Sequence, residues 1–470
     1  MNNIKHKLGV FVLLLSLAFF SACTADDLDP TLAQAKSVEG SINSVNNLYG
    51  ILKGTHNILS GSGYYGRDII ATNEVRSDNC FSNANSGRFS TQGEFLYNNN
   101  TGFIWDNAYQ VIANANIIIN IDLTELTGDQ NYGKHLQGQA LILRALAHFD
   151  LLRTYGQQHD AKSGTLGVPL VTTFKGDDLS PSRNSIDEVK TGIYSDLQSA
   201  YSMMNSSFDT SKVFISKNAA KALESRVGIY FGDWVKAKDA ALAVINTGSY
   251  TIAASNSFVS NWNSAEAANS IFELAYSGSD NLSSNSLPYI YRFPGDAPSG
   301  YGDLEVVSTL SNLFEATDVR GENGGNGILG YQDSGNRLRN MGKYPETATG
   351  SSNIPLMRYE EIILNYAEAL FRINPADANA LTYLNMIPNN RGASAYATAT
   401  EANILLERRK ELMFEGFRFD DMMRTGQDVV VIGASQNVKS TLTYPNNLFV
   451  YPIPVAETNA NSNMKQNEGY

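Results

Sequence analysis

Cys23 is the first residue whose surroundings imply a chemical fate. Lys5 and Lys7 precede an apolar run from Leu8 to Phe20, and Ser21-Ala22 brings small residues up to the cysteine. A basic start, an apolar stretch short of the ~20 residues that span a bilayer, and small residues before a cleavage point describe a secretory signal over residues 1–22. Small residues directly before Cys resemble a lipobox, with Phe20 where Leu is usual. Cys23 is therefore expected to be acylated on sulfur and to become the new N-terminus. Residues 23–35, in which Cys23 is followed by Thr24-Ala25-Asp26-Asp27-Leu28-Asp29, form an acidic tether after the acylated cysteine.

Paired carboxylates are the next candidates for chemistry: Glu360-Glu361, Glu411 with Glu415, and Asp420-Asp421. Glycoside hydrolysis uses two carboxyl groups facing one site, one of them with a raised pKa. Here the pairs sit among Arg358, Arg408, Arg409, Arg418 and Arg424, the pattern of ion pairs three or four residues apart on helix surfaces. The chain has no Gly-x-Ser-x-Gly elbow, phosphate-binding glycine loop or triad histidine. No catalytic residue is expected, and the protein is read as a non-enzyme.

Aromatic residues in loops suggest binding instead. Tyr64, Tyr65, Phe81, Phe89 and Tyr97 share one loop with Asp78, Asn79, Asn83, Asn85 and Arg88; Tyr289, Tyr291, Phe293 and Tyr301 share another with Arg292, Asp296 and Asp303. Flat rings stack on sugar C–H faces, while amides, carboxylates and guanidinium groups meet hydroxyls. The candidate ligand set is Tyr64, Tyr65, Asp78, Asn79, Phe81, Arg88, Tyr289, Tyr291, Arg292 and Tyr301. Arg337 and Arg339 also fall in loops, and converging arginines would favour an anionic ligand. Trp105, Trp234 and Trp262 are read as packing.

These loops need a scaffold, and periodicity supplies one. Helical patterns run over Val38–Ile58, Phe103–Ile121, Gly133–Tyr155, Ile186–Met204, Lys217–Phe231, Val235–Asn246, Arg358–Arg372, Ala376–Ile387 and Glu401–Met413. Between them lie Ser60–Thr101, Ser277–Gly302 and Gly321–Ser352, too long to be simple connections. Strand-like runs occur at Ile271–Leu274 and Leu448–Pro452. Lys221–Trp234 with Ala237, Ala241 and Val244, and Leu364–Leu370 with Ala380, Leu384 and Ile387, resemble tetratricopeptide helix pairs. Each has small residues where its two helices meet. The fold class is mainly α: a tetratricopeptide-like helix–turn–helix scaffold with long loop insertions and minor β.

Composition narrows function further. A net charge of −12 over 470 residues excludes a nucleic-acid binder, which needs clustered Lys and Arg. Two cysteines and five histidines provide no zinc pattern, and no EF-hand spacing appears. No metal or cofactor is expected, and Cys80 is read as a packing residue.

Several segments, in order, resemble the SusD/RagB family of outer-membrane nutrient-binding lipoproteins. They are Trp105–Tyr109 followed by Ile112–Asn116; Arg144–Gly156 followed by Gly167–Leu170; Arg358–Ala369; Glu407–Leu412 with Glu415–Met422; and the close Tyr451-Pro452-Ile453-Pro454 through Asn467-Glu468-Gly469-Tyr470. Glu468 replaces the usual Pro, and Thr425 stands where Trp is common. The resemblance covers Cys23 to Tyr470. It implies one SusD-like domain over 36–470, its N-terminal half running to about 250, with the two aromatic loops converging on a ligand face. It also implies a lipid-anchored, cell-surface protein of the outer membrane that captures a glycan and delivers it to a SusC-like TonB-dependent transporter. The acidic run after Cys23 is similar to a surface-export signal. Peptide capture with the same partner, and a ligand-free assembly scaffold, are the alternatives.

Overall fold

The computed structural model describes residues 41–470 except 101, 175–179, 293–300, 333–336 and 434–435. Cys23, the signal segment and tether, Phe293 and Asp296 lie outside the described residues. Within them the chain is mainly helical, with three small antiparallel sheets of two strands each.

Eight helices stack as four successive pairs: α1 (Val45–Ser60) with α3 (Trp105–Asn120), α4 (Gln130–Tyr155) with α5 (Ile186–Met203), α6 (Lys217–Phe231) with α7 (Trp234–Ile245), and α8 (Tyr359–Ile373) with α9 (Ala378–Asn389). Each pair packs on the next through α3 on α4, α5 on α6 and α7 on α8. The helix starts follow from local chemistry: Ser44 and Ser185 form capping boxes with Asn47 and Glu188, and the Asp129 carboxylate accepts the amides of Asn131 and Tyr132. Gly232, at φ +73°, ends α6 in the left-handed conformation that turns the chain directly into α7. The expected small-residue contact is present: a Cβ on Gly228 would lie 2.9 Å from the Ala237 Cβ and backbone nitrogen. Two helical pairs were legible by spacing; the structure extends the stack to four.

The remaining elements pack along this stack, against its first, third and fourth pairs. They are α2 (Asp68–Val75), α10 (Glu401–Leu412), α11 (Arg418–Arg424), α12 (Val455–Ala460), and strands β1 (Cys80–Ser82), β2 (Ser270–Leu274), β3 (Leu304–Val306), β4 (Leu329–Gln332), β5 (Arg337–Asn340) and β6 (Ile354–Arg358). β1 pairs with β3, β2 with β6, and β4 with β5. The Leu448–Pro452 run is not a strand: Asn447–Phe449 is a 3₁₀ turn capped by Asn446. One core cluster takes residues from Ile42 to Met464, so distant parts of the chain share an interior. No helix among the described residues is long and apolar enough to cross a membrane.

Candidate functional site

The two aromatic loops do converge, through β1 and β3. Their pairing sets Phe81 opposite Glu305 and Ser82 opposite Leu304, and the Asn83 amide extends the ladder to the Asp303 carbonyl at 2.9 Å. Beyond β1 the chain turns sharply. Gly87 donates to the Ala84 carbonyl, and the Asn83 side chain accepts the Asn85 amide at 2.9 Å. Ser82 closes this turn by donating to the Arg88 carbonyl at 2.6 Å. Asn437, from the far end of the chain, clamps both backbone groups of Ser82 at 2.6 and 2.8 Å. Gly93 permits this approach, since a Cβ there would lie 2.5 Å from the Asn437 side-chain oxygen.

Side chains then lock one loop to the other. Asn83 donates to the Gly302 carbonyl at 2.7 Å and to Glu305 at 2.8 Å, and Asn85 donates to the Tyr301 carbonyl at 2.7 Å. The Tyr301 and Gly302 amides both donate to the Tyr289 carbonyl. The Arg88 guanidinium lies 4.7 Å over the Tyr301 ring and gives one N–H to the Ser284 carbonyl at 3.0 Å. Tyr301 stays 39% exposed. Arg337 on β5 pairs with Glu305 at 2.6 Å, and its side chain is 43% exposed. The surface thus offers a ring held under a guanidinium, the exposed Asn85 amide, and a second arginine.

Of the residues expected to bind ligand, Arg88, Tyr289, Tyr301 and the half-buried Phe81 belong to this face. Asn83, Asn85 and Arg337, already noted in the loops, join them. Tyr331 on β4 is 47% exposed in the neighbouring hairpin and was missed. Its signal was the polar, aromatic run Gly330-Tyr331-Gln332.

The structure corrects the others, which are interior. Tyr64 and Tyr65 are buried, and their hydroxyls donate to the two oxygens of Asp150 at 2.7 and 2.8 Å. Burial, then the Asp150 charge, pushes both phenols up. Tyr291 is fully buried, donates to the Phe414 carbonyl at 3.2 Å and stacks on Tyr344. Arg292 is buried and donates to the Met341 carbonyl. Asn79 is buried between Glu74 and Arg409. Asp78 is held bidentately by Arg418 at 2.6 and 2.9 Å, with Arg409 at 3.0 Å. Burial works against its ionisation, but the arginines outweigh burial and hold its carboxyl below the usual range. Arg339, too, is interior, donating to the Gly302 and Leu304 carbonyls.

The carboxylate pairs are also interior and committed, not on helix surfaces. Glu360 and Glu411 both meet Arg391 and Arg358, Glu361 meets Arg226 at 2.7 Å, and Glu415 meets Arg358 and Lys343. Asp420 pairs with Arg153, and Asp421 with Arg408 and Arg424. Most of these join different elements; only Arg424–Asp421 keeps the expected spacing of three. Each carboxylate is neutralised by a cation inside the fold, which is the arrangement of structural ion pairs. Among the described residues no cluster of three or more His, Cys, Asp or Glu could hold a metal ion. Trp105 and Trp262 are buried and Cys80 is fully inside.

Two family models match the chain: the SusD family over residues 319–470, and "Starch-binding associating with outer membrane" over residues 29–229. SusD-like protein P2 of Formosa agariphila is 26% identical, the match covering 99% of this chain and 100% of that protein. Starch-binding protein SusD of Bacteroides thetaiotaomicron is 34% identical over 134 residues, 27% of this chain and 22% of its own. A SusD superfamily protein from Bacteroides vulgatus superposes with a TM-score of 0.83 at 26% identity, covering 91% of this chain and 100% of that one.

Proposed function

This chain belongs to the SusD family, and from that premise we propose that it captures a glycan on the face built around Arg88 and Tyr301 and passes it to a SusC-like TonB-dependent transporter. The observation that carries this reading is the Arg88–Tyr301 stack on an exposed, loop-clamped surface. Stacking fixes the ring, so little side-chain freedom is lost when a sugar meets it. Arg88 uses one N–H on Ser284, leaving donors for ring hydroxyls or an acidic substituent. The exposed Asn85 side chain adds an amide group beside the ring. The names of related proteins and of the matching family models, which refer to starch binding and the outer membrane, support the same reading.

Anchoring completes the proposal. Acylated Cys23 would tether the domain to the outer membrane, with the acidic segment directing it to the cell surface. An open face gives modest affinity, roughly −8 to −4 kcal/mol or about 1 μM to 1 mM. Apposition to the transporter raises capture through effective concentration.

The test is affinity electrophoresis of the domain from Thr24 onward against neutral and anionic polysaccharides. Retardation by one polymer, reduced in Tyr301→Ala and Arg88→Ala, supports glycan capture at this face. Undiminished retardation in both variants removes the face from the site, and no retardation of folded protein by any polymer shifts the reading to peptide.

A further inference from the structure

Two Asn-Gly pairs, Asn323-Gly324 and Asn326-Gly327, stand three residues apart in the loop that leads into β4. In such a pair the glycine amide nitrogen can attack the asparagine side-chain carbonyl carbon, because glycine has no Cβ to block the approach. The attack needs a free amide, a free side chain and room to move. The two pairs differ in all of these but the side chain.

Asn323 and Gly324 form the centre of a tight turn. Both have positive φ, +43° and +61°, and the Gly325 amide closes the turn on the Glu322 carbonyl at 2.8 Å. Left-handed backbone is costly for a residue with a side chain, so the turn holds Asn323 against its own preference. Among the described residues nothing accepts the Gly324 amide, and the Asn323 side chain makes no hydrogen bond. Gly324 is exposed, and a Cβ on it would meet nothing within 4 Å.

Gly327 is held. It is buried, its amide donates to the Glu322 carbonyl at 3.2 Å, and a Cβ on it would lie 1.8 Å from the Gly321 carbonyl oxygen. Just beyond it, Ile328 donates to the Val319 carbonyl at 3.0 Å and Leu329 to the Gly321 carbonyl at 3.1 Å. Its nitrogen reaches the Asn326 side chain only after its bond breaks and the chain shifts.

We propose that Asn323 is a self-modification site, converting to isoaspartate and aspartate, while Asn326 beside it is protected. The Gly324 nitrogen bonds to the Asn323 side-chain carbonyl carbon and gives up its proton, and the side-chain nitrogen leaves with that proton as ammonia. Water then opens the five-membered imide. Cleavage between the Gly324 nitrogen and the side-chain carbon gives aspartate; cleavage between that nitrogen and the backbone carbonyl carbon gives isoaspartate. Either product sets a new carboxylate next to Glu322, and isoaspartate lengthens the backbone by one carbon. The bonds at Ile328 and Leu329 lie below the turn, so β4 keeps its pairing with β5.

The test ages the chain in mildly alkaline buffer, folded and, in parallel, unfolded in guanidinium. Trypsin then releases Gly321–Arg337, which carries both pairs, and tandem mass spectrometry assigns each amide-to-acid mass gain. Labelling by an isoaspartate methyltransferase identifies the isomer. The folded chain should convert Asn323 and label there, with Asn326 at least about fivefold slower because the Gly327 amide must first give up its bond. The unfolded chain should convert both at similar rates. Equal conversion of the two in the folded chain, or an Asn323 that stays an amide there while the unfolded chain converts, overturns the proposal.

Discussion

Arg88 and Tyr301 come from opposite halves of the chain, yet the guanidinium of one lies 4.7 Å over the ring of the other. Removing Tyr301 takes away the platform, and removing Arg88 takes away the group that holds it. Tyr301→Ala should weaken glycan binding by about 1–2 kcal/mol, roughly five- to thirtyfold in Kd, with an unchanged melting temperature. Tyr301→Phe keeps the ring and should retain most of the affinity. Isothermal titration with the retarding polysaccharide decides this, and equal losses for Phe and Ala would assign the effect to the hydroxyl instead.

Tyr64 and Tyr65 are expected to act on stability alone. Tyr64→Phe leaves one Asp150 oxygen short of a donor, a loss of about 1–3 kcal/mol. Asp150→Ala strands two phenols and removes one of the two carboxylates that neutralise Arg153, about 3–5 kcal/mol. Chemical denaturation should report both losses while the folded fraction binds glycan normally. Weakened binding in Tyr64→Phe at unchanged stability would return these tyrosines to the ligand face.

Glu411 is fully buried and meets Arg391 through two contacts at 2.9 Å, Arg358 at 2.8 Å and Arg320 at 3.2 Å. Burial alone would raise its pKa, but Arg391 and Arg358, with Arg320, outweigh burial and hold it well below the usual range. A depressed carboxyl contributes stability above its unfolded pKa and loses it as pH falls through the folded value. Glu411→Gln should therefore destabilise the fold by about 3–5 kcal/mol at neutral pH. The deficit against wild type should shrink in acid, as denaturation across pH 3 to 7 would show.

His148 works in the same direction through a different charge state. Its Nε2 accepts the Val171 amide at 3.2 Å, which leaves Nδ1 to donate to the Arg144 carbonyl at 3.1 Å, so the neutral ring satisfies both backbone groups. Burial, then the Arg144 charge, lowers its pKa to about 3. The unfolded chain binds the proton first, so stability falls as pH drops below about 6.5, by up to ~1.4 kcal/mol per pH unit. His148→Gln should flatten this part of the stability–pH curve, and an unaltered slope would mean the ring is already charged in the fold.

Cys80 is buried, and burial pushes its thiol well above the ordinary range. Native protein from Thr24 onward should resist iodoacetamide and react only when unfolded, as mass spectrometry would record. In the full chain, labelled fatty acid should be incorporated through Cys23 and lost in Cys23→Ser.

Helices with one wet face were legible because polar and apolar residues alternate around them. Lys217–Phe231 was read at its observed bounds, and Ala237 and Ala380 marked where helices meet. α2 was hidden inside an expected loop for the opposite reason. Every residue after Asp68 in it is buried, so no amphipathic stripe betrays it. The site divides likewise. Arg88 and Tyr301 were named, because the residue types a sugar needs are visible in a loop. Tyr64 was misplaced because its partner, Asp150, lies 86 positions away. Local composition cannot distinguish a ring aimed at solvent from one aimed at a distant carboxylate.

The pairing of β1 with β3 and the Arg418 clamp on Asp78, spanning 340 positions, also impose an order of events on a chain emerging from synthesis. The helical pairs from α4 to α7 are closed by neighbours in sequence and can consolidate early. The strand at Cys80–Ser82 must wait unpaired until residue 304 and beyond have arrived, and Asp78 waits for its arginine longer still. Long-range closures of this kind slow folding and leave edges exposed in the interval. The loop face therefore closes after the early helical pairs, and a chain truncated before residue 437 should lose the Asn437 clamp that holds Ser82 and its turn.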